Sequence, residues 1–355
     1  MRVKRKVKPL FIIIVILAIV FIFVGTWKVL TGPVDRKSTE NIDVVIESGT
    51  NTRKIANILK NNDLIKSEFV FKVYVKLHSV KSLKAATYRF NKSMSLPEIV
   101  NQLENGSNYN PDMVKLTFKE GLRITDYAKL ISTNTNNSYD DVINVVNDEV
   151  YINELINEYW FLTDSILDDK IYYPLEGYLA PDTYHFDNKD VSVKEIVETM
   201  LDEMDKKLAK YKDIISGDIH YYMTMASIVE LEGTNTENRK MIVGVFKNRL
   251  SSGMNMGSDV TTYYGLQKPM TSDLSTEEFA SINAYNTRST TMIGKMPVGP
   301  ICSPGESSIE ASVNPTDNEY LFFVADKHGK IYYTKTNKEH DQKVAEIKKN
   351  GDWIW

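Results

Sequence analysis

The strongest chemical candidate in the chain is a glutamate in an otherwise apolar stretch. Residues 221–231 read YYMTMASIVEL, in which the strongly polar groups are Thr224, Ser227 and Glu230. A segment that is apolar nearly all round predicts a helix inside a protein core, and Gly233 shortly afterwards predicts the end of that helix. Because burying a carboxylate is costly, we expect Glu230 to be either paired with a cation or kept protonated.

Residue types alone leave two interpretations of Glu230 open. A carboxyl group inside a core, near the negative end of a helix dipole, favours its protonated form and can serve as a general acid. Alternatively, Glu230 is a last-turn glutamate whose side chain has reached solvent. The choice depends on what surrounds the end of the helix.

Signatures of other chemistries are absent from the sequence. It contains no P-loop, GxGxxG, HExxH or GxSxG motif. Its five histidines are scattered without metal-ligand spacing, at positions 78, 185, 220, 328 and 340. The single cysteine, Cys302, excludes an internal disulfide, a multi-cysteine zinc site and a cysteine-ligated iron–sulfur cluster. We therefore expect no metal and no cofactor.

Polar side chains that could line a carbohydrate groove follow the apolar stretch. Thr234 and Glu237 predict the capping box of a next helix, on which Arg249 lies at the edge of an apolar stripe. Residues 253–265 and 283–306 then combine glycine and proline with Tyr, Asn, Asp, Ser and Thr. Such side chains suit carbohydrate binding, but they are equally typical of turn-rich loops.

The elements that must position these groups indicate an α+β fold. Three stretches, beginning at Val44, Tyr88 and Leu116, predict a strand, a tight turn and a short helix in succession. Their unequal spacing is not that of a regular solenoid. Residues 191–215 predict one amphipathic helix. Isolated strands among helices, without regular βαβ repetition, are typical of α+β proteins.

The N-terminus predicts a membrane anchor. The uncharged run LFIIIVILAIVFIFVG begins at Leu10 and, extended to Trp27, would form roughly 27 Å of helix. Five of the first eight residues are basic, so the positive-inside rule places residues 1–9 in the cytoplasm and the body of the protein outside it. A buried core helix and a cleaved signal peptide are the alternatives, but no small-x-small cleavage site follows.

The rest of the chain is mildly acidic and long enough for more than one domain. Beyond the first eight residues, 38 basic groups face 47 acidic ones, which gives no support to nucleic-acid binding. We expect a tail and transmembrane anchor in residues 1–30, a linker in 31–41, a small βα module in 42–110 and a larger α+β domain in 111–355.

Several motifs, in order, resemble the MltG (YceG-like) family of membrane-anchored endolytic murein transglycosylases. LEGYLAPDTYHF from Leu175 is similar to the family's LEGxLxPDTY, and MASIVELE from Met225 is similar to its ASIVEKE. VGVFKNRLSSGMNMGSD from Val243 is similar to VFxNRLxxGMxLQSD, and AYNTR, GPICSPG and YLFFVAD follow in the family order. The likeness covers roughly residues 42–345.

The resemblance implies a reaction and a site. Glu230 stands at the position of the family's catalytic glutamate, and the implied reaction cleaves the β-1,4 bond between N-acetylmuramic acid and N-acetylglucosamine. Glu230 would protonate the leaving oxygen and then assist attack by the muramyl C6 hydroxyl, so that no second carboxylate need be sought. Other residues at matching positions are expected in the substrate groove or directly behind it: Glu176, Asp182, Asn248, Arg249, Asp259, Tyr285 and Asn286.

The resemblance also implies an architecture and partners. Residues 42–110 would be a LysM-like module and 111–355 a YceG-like catalytic domain, held at the cell membrane by a single transmembrane helix with the catalytic domain outside the cytoplasm. The partners would be peptidoglycan glycan strands and the peptidoglycan synthases.

The sequence departs from the family at several positions, among them Gly233, Val260 and Arg288, where the family favours Thr, Pro and Tyr. These departures leave Glu230 in place. Two alternatives stay open: a muramidase-type hydrolase that uses water on the same bond, and a catalytically idle scaffold that binds the cell wall.

Overall fold

The computed structural model describes residues 9–106, 110 and 112–353, with the side chains of 9–13, 15 and 16 also left out. Most of the predicted cytoplasmic tail lies outside these residues. The chain forms two compact units, Met1–Met113 and Val114–Trp355. The division into a LysM-like module and a catalytic domain stays a prediction.

The first unit is built around an antiparallel pair of strands. Its elements are α1 (Pro9–Thr31), β1 (Asn41–Ile46), α2 (Thr52–Asn61), α3 (Glu68–Leu77), β2 (Ala86–Asn91) and α4 (Leu96–Asn105). β1 pairs with β2, and their inward side chains pack with those of the helices in one core that includes Leu59, Tyr88, Phe90 and Leu103.

Helix α1 carries the apolar run seen in the sequence. Phe21 and Phe23 are 81% and 64% exposed. Near the end of the helix, Trp27 packs against the core of the first unit, and Lys66 Nζ donates a hydrogen bond of 2.8 Å to the carbonyl of Val29. Among the helices that the structure describes, none meets the length and apolarity required to cross a membrane.

The second unit mixes many helices with two small antiparallel sheets, which confirms the predicted α+β class. Its first half contains β3 (Val114–Thr117), α5 (Ile124–Asn134), α6 (Tyr139–Val146), α7 (Glu149–Glu158), β4 (Thr183–Phe186) and α8 (Val193–Ala209). Its second half contains α9 (Ile219–Glu232), α10 (Thr236–Ser251), α11 (Asp259–Gly265), α12 (Thr276–Phe279), α13 (Glu306–Val313), β5 (Phe322–Ala325), β6 (Ile331–Thr334) and α14 (Asn337–Lys349). β3 pairs with β4 and β5 with β6.

The three predicted strand–turn–helix stretches are confirmed as β1–α2, β2–α4 and β3–α5. They do not form one repeat, because the first two strands pair with each other and the third pairs with β4. The helix predicted for 191–215 is shorter than expected. It ends at Ala209, where the Tyr211 backbone N–H donates to the Leu208 carbonyl and turns the chain.

Helix α9 lies between the two cores of the second unit. Met223 and Ala226 face the core that α5–α8 also build, whereas Met225, Ile228 and Val229 face the core shared with α10 and α11. Nine of its 14 residues are buried, so it has no solvent face of the usual width. This placement confirms the predicted core helix and explains why its sequence is apolar nearly all round.

Candidate active site

Glu230 lies in the last turn of α9 with its carboxylate enclosed. Its side chain is 7% exposed, and its Oε1 accepts a hydrogen bond of 2.8 Å from Nη2 of Arg239. Its Oε2 accepts from the Gly305 backbone N–H at 2.9 Å and from the Ser308 hydroxyl at 2.6 Å. Of the possibilities that the sequence left open, the structure therefore shows the buried and paired carboxylate.

The chain positions these donors by two local devices. Gly305 and Ser308 stand at the N-terminus of α13, whose free N–H groups and dipole attract a negative group. Gly233 ends α9, as predicted, and lets α10 follow so closely that a Cβ at 233 would lie 3.2 Å from the Arg239 backbone. The absence of a side chain at Gly233 therefore allows Arg239 to turn back onto Glu230.

The start of α10 differs from the sequence prediction. A capping box at Thr234 and Glu237 is wrong, because the helix begins one residue later than that box requires. Asn235 is the cap, and its side chain accepts from the Asn238 backbone N–H at 2.9 Å.

A second carboxylate, Glu120, stands beside Glu230. It follows β3, and Gly121 adopts a positive φ of 75° that turns the chain toward α5. The Gly121 N–H donates to the carbonyl of Ser303 at 2.9 Å, which fixes this turn against the loop before α13. Glu120 is exposed as a residue, yet partial desolvation of its carboxyl group raises its pKa, and the nearby charge of Glu230 raises it further.

Three of the predicted groove residues are enclosed in the protein. Glu176 is 1% exposed and accepts hydrogen bonds of 3.0 Å from the Tyr264 hydroxyl and the Ile124 N–H. Burial raises its pKa to about 8. Tyr285 and Asn286 are 0% exposed, and Asn286 binds the loop around it through the carbonyls of Phe279 and Ser281. The predicted place of these three residues in the groove or directly behind it stays a prediction.

Asn248 and Arg249 at the end of α10 hold the segment that leads into β5. Asn248 Nδ2 donates to the carbonyls of Asn318 and Tyr320 at 2.8 and 3.0 Å. Arg249 donates to the carbonyls of Asn255 and Leu321 at 2.7 and 2.9 Å. The partner of this half-buried arginine is thus backbone, and no carboxylate is its hydrogen-bond acceptor in the described residues.

The two predicted aspartates are the most open of the set, and both are ion-paired. Asp182 pairs with Lys207 at 3.3 Å, and its carbonyl accepts from the Phe118 N–H, which places it next to the strand that precedes Glu120. Asp259 begins α11 and pairs with Arg288. Arg288, one of the departures from the family, therefore has a partner on the same surface.

The structure does not bring all the predicted residues together around Glu230. None of the other seven forms a hydrogen bond to its carboxylate within the described residues; that role falls to Arg239, Gly305 and Ser308. Sequence reasoning missed these three and Glu120. The available signals were the GPICSPG motif, which ends at Gly305, and the Glu–Gly pair between a predicted strand and helix.

The chemistry open to this arrangement is proton transfer by carboxyl groups. Within the described residues, no group of three or more His, Cys, Asp or Glu side chains is arranged to hold a metal ion. His220 is engaged structurally, through the Tyr178 hydroxyl at 2.7 Å and the Val298 carbonyl at 2.8 Å.

The second unit is an α+β domain with a buried, cation-paired glutamate at the end of a central helix, which is the arrangement of an acid–base enzyme site. Comparison with known proteins identifies the family. The model of the YceG-like family matches residues 44–346. The chain belongs to the YceG-like family, as its motifs indicated.

Named relatives fall in the same group. An endolytic murein transglycosylase of Bacillus subtilis (strain 168) is 35% identical over 319 residues, which cover 89% of this chain and 87% of that protein. An endolytic murein transglycosylase of Streptococcus pneumoniae (serotype 2, strain D39) is 32% identical over 333 residues, covering 88% of this chain and 60% of that longer protein. The crystal structure of a YceG-like protein from Listeria monocytogenes aligns with a TM-score of 0.61 at 34% identity, over 85% of this chain and 99% of the other.

Proposed function

We propose that this protein is an endolytic murein transglycosylase, a lyase that cleaves the β-1,4 bond between N-acetylmuramic acid and N-acetylglucosamine and leaves 1,6-anhydro ends. The observation that carries the proposal is the placement of Glu230, on a largely buried helix with three donors fixing its carboxylate. A side chain held in this way is oriented before substrate arrives. The two relatives above are named as endolytic murein transglycosylases.

The reaction needs two proton transfers, which cancel over the turnover, and no external nucleophile. The bond between C1 of the muramyl residue and O4 of its neighbour breaks, and a bond between C1 and the muramyl O6 forms. A carboxyl group gives a proton to O4 as it leaves, and a carboxylate receives the proton of the C6 hydroxyl as that oxygen attacks C1. Because the nucleophile belongs to the substrate, the site differs from a glycosidase that must activate water.

The proposal is tested by digesting purified glycan strands with the wild-type protein and with Glu230→Gln, and identifying the new ends by mass spectrometry. We expect 1,6-anhydro ends from the wild type and none from the variant. A matched control is Glu237→Gln, since Glu237 is an exposed glutamate in the first turn of α10.

Other outcomes of this digestion assign the alternatives. Reducing ends would identify a muramidase-type hydrolase. Retained glycan binding without any cleavage would identify a wall-binding scaffold. A Glu230→Gln protein that cuts as well as the wild type would remove Glu230 from the mechanism.

We further propose that residues 1–30 anchor the protein in the cell membrane by a single pass, with the N-terminus in the cytoplasm and the catalytic domain outside. Support comes from the basic start, the uncharged run after it and the exposed apolar side chains along α1, such as Phe21 and Phe23. An enzyme held there would act on new glycan strands near the membrane, in contact with the peptidoglycan synthases.

The anchor is tested by removing residues 1–24, a cut that spares Trp27 because this side chain packs on the core of the first unit. We expect a folded, active protein that no longer fractionates with membranes. Continued membrane fractionation would contradict the anchor, and loss of folding would indicate a core helix instead.

We retain residues 42–110 as a LysM-like module. Its support is a separate core built from two antiparallel strands with helices between and after them. Binding of the isolated residues 33–106 to peptidoglycan sacculi would support the assignment, and a folded segment without binding would count against it.

A further inference from the structure

We propose that Glu120 is a second carboxyl group of the active site and that it shares one proton with Glu230, an inference that rests on the proposed function. The family resemblance gives a catalytic role to Glu230 alone, and it implies that one carboxylate serves first as acid and then as base. The structure places a second carboxylate where it can take part.

The two carboxylates meet at Gly305. Its backbone N–H donates to Glu230 Oε2 at 2.9 Å. On its other side the missing side chain leaves room for Glu120, because a Cβ at 305 would overlap with the Glu120 carboxylate and lie 2.6 Å from its Oε2. Gly305 itself has an ordinary φ of −77°, so the conformation does not require glycine. The space that the glycine leaves is occupied by Glu120.

The two carboxylates differ in how they are held. Glu230 has three donors on its two oxygens. Within the described residues, by contrast, no hydrogen bond or ion pair engages the Glu120 carboxylate. A buried carboxylate with an architectural role is normally engaged by donors. Glu120 is instead exposed, as a group that gives a proton to a substrate oxygen has to be.

The charges around Glu120 come from several elements. Partial desolvation raises the pKa of Glu120 most, and the charge of Glu230 on α9 raises it further. Arg239 on α10 and Lys207 on α8 lower it. The phenol of Tyr127 on α5, which donates to the Lys119 carbonyl, also interacts electrostatically with Glu120. At the start of α13 the neighbouring charge of Glu306 is already paired with Lys210.

Two like charges in such proximity favour a state in which one of them keeps a proton. Arg239 lies directly on Glu230, so Glu120 is the member that retains it. The pair then contains an acid and a base at the same time.

This division balances the reaction. Breaking the C1–O4 bond consumes one proton at O4, and forming the C1–O6 bond releases one from the C6 hydroxyl. The pair therefore begins and ends each turnover with a single proton. A lone carboxylate would have to change from acid to base between the two events.

The test is the pH dependence of kcat and kcat/KM for cleavage of purified glycan strands by the full-length protein. Glu120→Gln keeps the shape of the side chain but cannot titrate. We expect its rate to fall by at least about tenfold, toward the ~10²–10⁴-fold typical of losing an acid–base group, and its pH profile to lose the alkaline limb. Glu120→Asp is expected to restore part of the rate and the two-limbed profile.

Two further variants distinguish a role of Glu120 in proton transfer from a purely structural role. Gly305→Ala keeps the N–H that donates to Glu230 but adds a methyl group that displaces the Glu120 carboxylate, so we expect a lower rate with an altered alkaline limb. Glu237→Gln, the exposed control, is expected to keep the wild-type profile. Circular dichroism of each variant checks the fold.

The experiment distinguishes failure of the proton-sharing role from failure of the proposed transglycosylase function. A Glu120→Gln protein with the wild-type rate and profile, or with a lower rate but an unchanged profile, overturns the proton-sharing role while cleavage by the wild type upholds the proposed function. If the wild type itself cuts no glycan, the proposed function fails and the inference fails with it.

Discussion

Replacing Glu176 with glutamine removes a buried carboxyl group while keeping its size and its ability to accept hydrogen bonds. The carboxyl group is 1% exposed and accepts from Tyr264 and Ile124. Burial raises its pKa from 4.5 to about 8, against opposing effects from these hydrogen bonds and from Arg123. Between these two values the folded protein keeps a proton that the unfolded chain has lost.

The sign and size of the effect follow from that difference. A carboxyl group whose pKa is higher in the folded state contributes stability that is fully present below pH 4.5 and is lost as the pH rises toward 8. From pH 5 to pH 7 the loss amounts to about 2.5 kcal/mol in the free energy of unfolding. Glutamine does not titrate, so the Glu176→Gln protein escapes this loss.

The assay is urea unfolding of the wild type, Glu176→Gln and the Glu237→Gln control at pH 5 and pH 7. Unfolding of the second unit is monitored by hydrogen exchange in peptides from residues 114–355. We expect the Glu176→Gln protein to gain about 2.5 kcal/mol relative to the wild type from pH 5 to pH 7, and the control to gain nothing. Parallel pH dependences for Glu176→Gln and the wild type would refute the reasoning that this carboxyl is protonated by burial.

Three further substitutions test other contacts. Arg239→Gln leaves the buried Glu230 carboxylate without its cation and should cost about 3–5 kcal/mol in urea unfolding; an unchanged midpoint would show that the ion pair is not formed. Asn248→Ala removes the donor to two part-buried carbonyls before β5 and should cost about 0.5–1.5 kcal/mol, whereas no loss would mean that water replaces the amide. Arg288→Tyr, which restores the residue typical of the family, breaks a pair that is nearly half exposed and should change stability by less than about 1 kcal/mol; a larger loss measured by thermal unfolding would show a structural role for Arg288.

Much of the local structure was predictable because it depends on local pattern. The alternation before the turns at Gly49 and Gly121 predicted strands, and the apolar spacing after them predicted helices. The continuous apolar surface of α9 predicted its burial, and Gly233 its end. The prediction of Glu230 needed the motifs as well, since residue physics alone left it open.

The partners of Glu230 could not be predicted from local pattern. Gly305 and Ser308 are 75 and 78 positions away along the chain, and they reach Glu230 only because α13 packs against α9. Glu120 arrives from β3 by another route, through the turn at Gly121. The motif positions Glu176 and Asn286 are buried. A motif can mark packing as readily as contact with substrate, so the motifs alone could not tell the two apart.

The most direct test of the central claim is digestion of purified glycan strands in ¹⁸O-labelled water, with mass spectrometry of the new ends. If the muramyl C6 hydroxyl is the nucleophile and Glu230 handles its proton, the wild type will give 1,6-anhydro ends without ¹⁸O and Glu230→Gln will give none. Reducing ends that carry ¹⁸O, or unimpaired cleavage by Glu230→Gln, would contradict the account.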